Sequence, residues 1–270
     1  MAVKTKRAPS APKWRIAVIA SISMLLLVLI VVAVMMELSP PVWSRLRPNP
    51  YKASDFGYQD GYLTCLSGES LLGIDVSHHQ GDIDWQKVAD SPVKFAMIRL
   101  GNRTAGDGAL MEDRYGKINL SQARQAGLSV GVYFYSQAVS VAEAREEAQY
   151  LLRLLDGAKL DMPVVFDWEI FSATGRTANV DGDTVTACAV AFCEMVQNAG
   201  YQPMVYYNKD IADRLLDLEL MQKQGCRFWY ARYNDSKPAN HWVDMWQYTD
   251  SGRVPGIEVN VDLNLYFPSK

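Results

Sequence analysis

The chain has 270 residues, 49% of them hydrophobic and 21% charged, a balance that excludes a disordered, collagen-like or coiled-coil body. Its formal net charge of -3 is unevenly spread: the first 50 residues hold seven basic side chains and one acid, Glu37, leaving 20 basic and 29 acidic residues for the remainder. That acidic body has no electrostatic footprint for nucleic acid, and the four cysteines (Cys65, Cys188, Cys193, Cys226) are too few for a disulfide scaffold and lack any C-x-x-C pair for zinc.

The first element in chain order is an uncharged run from Ile16 to Met36. As a helix its roughly 21 residues would reach about 31 Å, matching the ~30 Å hydrocarbon core of a bilayer. Lys4, Lys6, Arg7, Lys13 and Arg15 precede it and Glu37 follows. The positive-inside bias therefore predicts a cytoplasmic basic tail over 1–15, a single transmembrane helix over 16–36 contacting the lipid bilayer, and an extracytoplasmic remainder in the cell membrane. A secretory signal would have a core of about 7–15 residues and a small-x-small cleavage site. The run is longer, and Val34 to Pro41 offers no such site, so an uncleaved anchor is favoured. Residues 37–70 read as a linker, because Pro40, Pro41, Pro48 and Pro50 favour extended backbone and Gly57, Gly61 and Gly68 break helical periodicity.

Residues 71–270 alternate short β-rich runs with amphipathic stretches. Strands are predicted at Leu72–Val76, Phe95–Arg99, Ser129–Tyr135, Pro163–Asp167, Met204–Tyr207, Arg227–Tyr230, Asp244–Tyr248 and Val259–Leu265. Helices are predicted at Trp85–Ala89, Leu120–Ala126, Val141–Leu155, Asp183–Ala199 and Lys209–Gln222, with Gly127 and Gly200 at C-cap positions. Eight strands in about 200 residues suggest an α/β barrel, irregular where the last three strands leave little room for helices.

Active residues of such barrels sit at the C-terminal ends of strands. That rule selects Asp75, Asp167 with Glu169, and Asp262. Residues two apart in a strand face the same side, so Asp167 and Glu169 project together while Phe166 and Trp168 point the other way. Two close carboxylates in a low-dielectric mouth cannot both ionise freely, and a carboxylic acid kept protonated near neutral pH is what glycosidic cleavage requires for its leaving group. An Asp-x-Glu alone is more often two ordinary acids at a solvated strand end; the further acids at other strand ends favour a site.

The run Gly73-Ile74-Asp75-Val76-Ser77-His78-His79-Gln80-Gly81, followed by Ile83-Asp84-Trp85, resembles the opening signature of glycoside hydrolase family 25, the lysozymes or N-acetylmuramidases. The resemblance continues through Phe95–Arg99, Ala126–Tyr133, Phe166–Glu169, Trp229–Tyr233, Trp246–Thr249 and Val261–Asn264, and spans about Gly73 to Phe267. It implies an irregular, flattened eight-stranded β/α barrel that binds peptidoglycan glycan strands. It further implies hydrolysis of the β-1,4 bond between N-acetylmuramic acid and N-acetylglucosamine, with Glu169 as general acid and Asp75, Asp167 and Asp262 as supporting carboxylates. The segment Asn102–Leu110 departs from the family's threonine- and glycine-rich loop.

Tyr133 and Tyr135 share a strand face, and Tyr206 and Trp246 hold comparable places in the family pattern, so all four are candidates for stacking on sugars, against the alternative of core packing. Arg99 is read as orienting a carboxylate, and Gln247 as hydrogen-bonding an acetamido group. His78 and His79 diverge on a turn and lack a third ligand of recognisable spacing, so no metal or other cofactor is expected. Because both acids of the fourth strand approach from one side, a substrate-assisted route is expected, in which the acetamido oxygen of muramic acid attacks. The competing readings are a non-catalytic glycan-binding or scaffold module, which the complete set of four acids argues against, and a hydrolase of another N-acetylated glycan.

Overall fold

The computed structural model describes residue 24, residues 46–233 and residues 236–268. The expected basic tail and transmembrane helix lie outside the described residues, Met24 apart. Among the described residues no helix is long and apolar enough to cross a membrane.

From Leu46 onward the chain forms one unit, so the part of the expected linker over 46–70 is folded, while residues 37–45 lie outside the described residues. A β-hairpin, β1 (Phe56–Gln59) and β2 (Tyr62–Cys65), occupies its second half. The Phe56 ring packs 5.3 Å from that of Trp246, and Tyr51 lies 5.2 Å from Phe267. These contacts give the described part of the segment apolar area to bury. Asp60 and Gly61 close the hairpin with φ of 51° and 84°, the paired left-handed conformations of a type I′ turn, for which Asp-Gly is a favoured dipeptide.

Eight strands then close a barrel: β3 (Leu71–Val76), β4 (Phe95–Arg103), β6 (Ser129–Ser136), β7 (Val164–Trp168), β8 (Pro203–Asn208), β9 (Arg227–Ala231), β10 (Met245–Gly252) and β11 (Val261–Tyr266). A short strand, β5 (Leu110–Glu112), adds to the edge of β4. Neighbours pair in parallel from β3 through β10, whereas β11 runs antiparallel to both β10 and β3. Few residues separate the last strands, as expected, and the reversal of β11 is the form the irregularity takes.

Helices α1 (Trp85–Ala89), α2 (Gly116–Gln125), α3 (Val141–Leu155) and α4 (Gly182–Asn198) occur near their expected positions. Side-chain caps explain several starts: Ser140 accepts from the Glu143 amide and Asp181 from that of Thr184. Gly127 and Gly200 have φ of 88° and 86° and supply the left-handed residues after α2 and α4. The single helix expected over 209–222 is two, α5 (Lys209–Leu215) and α6 (Leu218–Lys223). Leu216 is extended, and Asp217 starts a new helix by accepting from the Leu220 amide.

Strand alternation sorts the core into two layers. Phe95, Met97, Val165, Met204, Trp229 and Met245 fill the barrel interior, while Ala96, Ile98, Phe166 and Phe192 belong to the layer between barrel and helices. Gly73 permits the inner plug: a Cβ there would stand 2.2 Å from the Phe95 ring. The open end is the mouth where the parallel strands finish. Asp262 pairs with Asp75 across β11 and β3, so the reversed strand delivers its acid to the mouth from near its own start.

Candidate active site

Neighbouring registers set a row of side chains across the mouth. Tyr135 on β6 is opposite Asp167 on β7, Asp167 is opposite Tyr206 on β8, and Tyr206 is opposite Trp229 on β9. Asp75 and Asp262 close the ring from the other side. Together with Glu169, Arg99, Tyr133 and Gln247 these residues line a cavity of about 160 Å³. All four acids read from the sequence therefore meet in one place.

The acids differ in their partners. Asp75 accepts from the side-chain amides of Gln247 and Asn264 on the same oxygen, at 2.9 and 2.8 Å. Burial raises its pKa, opposed by those amides and by a hydrogen bond from Asp262. Asp262 is pushed up to about 9 by burial and then by the charge of Asp75, to which it donates a hydrogen bond. Burial, then the charges of Glu169 and Asp75, lifts Asp167 well above the carboxylate range. One of its buried oxygens has no hydrogen-bond partner. Glu169 is raised by burial and then by Asp75. A single cavity cannot hold four bare carboxylates, so protons stay on this cluster through neutral pH.

The backbone carbonyl of Glu169 is fixed from behind, accepting from Gln137 Nε2 at 2.7 Å and from the Thr177 hydroxyl at 3.1 Å. Trp168 points away, as its strand position requires, and its indole donates to the Ala138 carbonyl at 2.8 Å. Arg99 does orient a carboxylate, though not one of the four: its Nε donates to Asp113 at 2.8 Å. The His78 Nδ1 contacts both Arg99 and Asp113, so that ring is engaged in an ion-pair network behind the mouth.

Two expected sugar contacts need correction. Trp246 is fully buried, packs against Phe56 of the hairpin and donates its indole N–H to the Arg232 carbonyl at 2.8 Å. It neighbours the inward-facing Gln247 in β10, and adjacent strand residues face opposite sides. Gln247 lines the cavity, but its polar atoms are engaged within the protein: the amide nitrogen on Asp75, the oxygen accepting from Tyr206 and Tyr233 at 3.0 and 2.7 Å. It supports Asp75 rather than standing free for an acetamido group.

Trp229 and Asn264 were missed by sequence reasoning, and the Trp229 indole donates to Asn264 at 2.8 Å. Both had a signal available. Asn264 lies two residues after Asp262, on the same strand face, and Trp229 alternates with Ala231, which shares the barrel interior.

A family model described as glycosyl hydrolases family 25 matches residues 74–257. The protein YegX of Escherichia coli K12, itself uncharacterised, is 28% identical over 206 residues, covering 73% of this chain and 70% of its own length. The autolytic lysozyme of Clostridium acetobutylicum is 28% identical over 203 residues, covering 72% of this chain and 55% of that protein. The modular autolysin LytC of Streptococcus pneumoniae, solved in complex with a synthetic peptidoglycan ligand, superposes with a TM-score of 0.65 at 25% identity over 78% of this chain. The chain spans about half the length of LytC, 52%.

Proposed function

The chain belongs to the family 25 glycosyl hydrolases, and from that membership we propose that it is a membrane-anchored muramidase, cleaving the β-1,4 bond between N-acetylmuramic acid and N-acetylglucosamine in peptidoglycan. The observation that carries the proposal is the convergence of Asp75, Asp167, Glu169 and Asp262 on one cavity walled by Tyr133, Tyr135, Tyr206 and Trp229. The lysozyme and autolysin relatives support the choice of polymer.

In this reading Glu169, its pKa raised by burial and by Asp75, gives its proton to the bridging oxygen as the glycosidic bond breaks. The acetamido oxygen of the muramic acid ring attacks its own anomeric carbon from the opposite face. Asp167 accepts the acetamido N–H on its partnerless oxygen and so orients the attacking group. Water then opens the cyclic intermediate, with Glu169 taking back a proton. Asp262 hydrogen-bonds Asp75, and the charge of Asp75 helps to raise the pKa of Glu169. The uncharged run over 16–36 would hold this domain outside the cytoplasmic membrane, near the wall polymer.

Digestion of purified peptidoglycan by the chain, followed by borohydride reduction and mass spectrometry, tests the activity. Reduced muramic acid termini are expected; reduced glucosamine termini, or none, would overturn it. Glu169→Gln keeps the shape and lowers the rate by about 10²–10⁴-fold. Peptidoglycan deacetylated at muramic acid resists cleavage if the acetamido oxygen is the nucleophile, and ready cleavage would point to a carboxylate nucleophile instead.

A further inference from the structure

Outside the barrel wall, a groove of about 440 Å³ runs between the β1–β2 hairpin and the mouth ends of β10 and β11, against the roughly 160 Å³ of the catalytic cavity. Tyr58, Tyr62 and Tyr248 give it aromatic surface, and Asp60, Thr249 and Ser251 give it oxygen-bearing side chains. Tyr58 is 72% exposed, so its ring contributes little to the core. The Tyr62 hydroxyl donates to the Arg253 carbonyl at 3.1 Å and ties the hairpin to the rim. The buried Tyr248 hydroxyl lies near the Leu63 backbone without completing a hydrogen bond.

The groove and the cavity stand back to back across one layer of sheet. On β11, Asp262 lines the cavity and the next residue, Leu263, lines the groove. On β10, Gln247 lines the cavity and the next residue, Tyr248, lines the groove, as the alternation of adjacent strand residues requires. A chain leaving the mouth over this rim would meet the groove directly. Aromatic rings bordered by hydroxyl groups suit pyranose rings, whose C–H faces stack on an aromatic surface while their hydroxyls reach the polar rim. The one acid, Asp60, is offset by Arg253, so no net charge selects an ionic ligand.

We propose that this groove is a second saccharide-binding site, holding an N-acetylated stretch of the glycan strand beyond the bond being cleaved, with Tyr58 as its stacking platform. The proposal rests on the peptidoglycan reading above. Its hairpin wall lies outside residues 74–257 matched by the family model.

The test uses the full chain in detergent carrying Glu169→Gln, which binds without turnover, with Tyr58→Ala or Ser251→Trp added. The probes are a β-1,4-linked N-acetylglucosamine hexamer and its disaccharide. Loss of one ring contact should weaken hexamer binding about three- to tenfold and leave disaccharide binding unchanged. Ser251→Trp obstructs the groove from the opposite wall and should do the same. Unchanged hexamer affinity in both variants, or equal loss for both probes, overturns the proposal. In the active chain, Tyr58→Ala should raise KM on intact wall polymer and spare cleavage of a soluble tetrasaccharide. Because binding is read without turnover, a chain that cleaves nothing yet shows groove-dependent hexamer binding upholds the groove and sinks the muramidase reading alone.

Discussion

At Asp75 two amide donors, from Gln247 and Asn264, meet one carboxylate oxygen. They oppose the rise that burial imposes on this acid, while its neighbour Asp262 is raised to about 9. An acid with a higher pKa folded than unfolded takes up protons on folding, so its effect is constant below about pH 4 and increasingly destabilising from there to about pH 9. Asp262→Asn keeps a donor toward Asp75 and removes the titration. Its melting temperature should therefore fall less between pH 5 and pH 9 than that of the unmodified chain, and parallel profiles would reject the assignment. The other three acids shift in the same direction, so the profile flattens without becoming level. Gln247→Leu should lower kcat about ten- to a hundredfold with KM little changed, as for loss of a hydrogen bond to a charged group; a change confined to KM would instead make Gln247 a sugar ligand. At this scale all four acids were legible, because each sits in a short motif at a strand end. The partners of Gln247 were not legible, since contacts between β10, β3 and β8 depend on barrel closure. The misplacement of Trp246 was avoidable, because it and Gln247 are neighbours on one strand and cannot both face inward.

The hairpin shows how an element disappears from a sequence reading. Its strands are four residues each, too short for a clear alternation, and the surrounding prolines and glycines imitate a linker. What gives it stability is tertiary: Phe56 lies edge-on to Trp246 and within 6.2 Å of Phe267, and Tyr51 spans Trp242 and Phe267. The local signal was the Asp60-Gly61 turn between two aromatic-bearing runs. Phe56→Ala should cost about 2 kcal/mol, below the 3–5 kcal/mol typical of a fully buried phenylalanine because this ring is only half buried. Denaturant unfolding would register that loss while turnover on a short soluble glycan stays unchanged. A large loss of turnover at unchanged stability would show that the hairpin acts on the chemistry directly. The barrel strands were legible because each carries a run long enough for periodicity. The break between α5 and α6 was not, because Asp217 reads equally well as a helical surface residue until its cap to Leu220 is seen.

For the whole molecule, the strongest asymmetry in the sequence is electrical: a basic start, an uncharged run over 16–36, then, beyond residue 50, a body with nine more acidic than basic residues. If the run spans the membrane with its basic flank inside, the folded unit from Leu46 onward faces the wall, where peptidoglycan is found. The described structure makes this testable with little background, because Cys65, Cys188, Cys193 and Cys226 are all buried and free. Ile118, 50% exposed on α2, offers a site for a new thiol on the body. In cells carrying Ile118→Cys, a membrane-impermeant maleimide should label the chain before lysis, after permeabilisation of any outer membrane, and the parent chain should remain nearly unlabelled. The labelled protein should sediment with membranes and be released by detergent but not by high salt, as insertion of a hydrophobic helix requires and electrostatic adhesion of the basic tail does not. Labelling only after lysis would reverse the orientation and put the acid cluster on the side away from its proposed polymer; release by salt alone would remove the anchor.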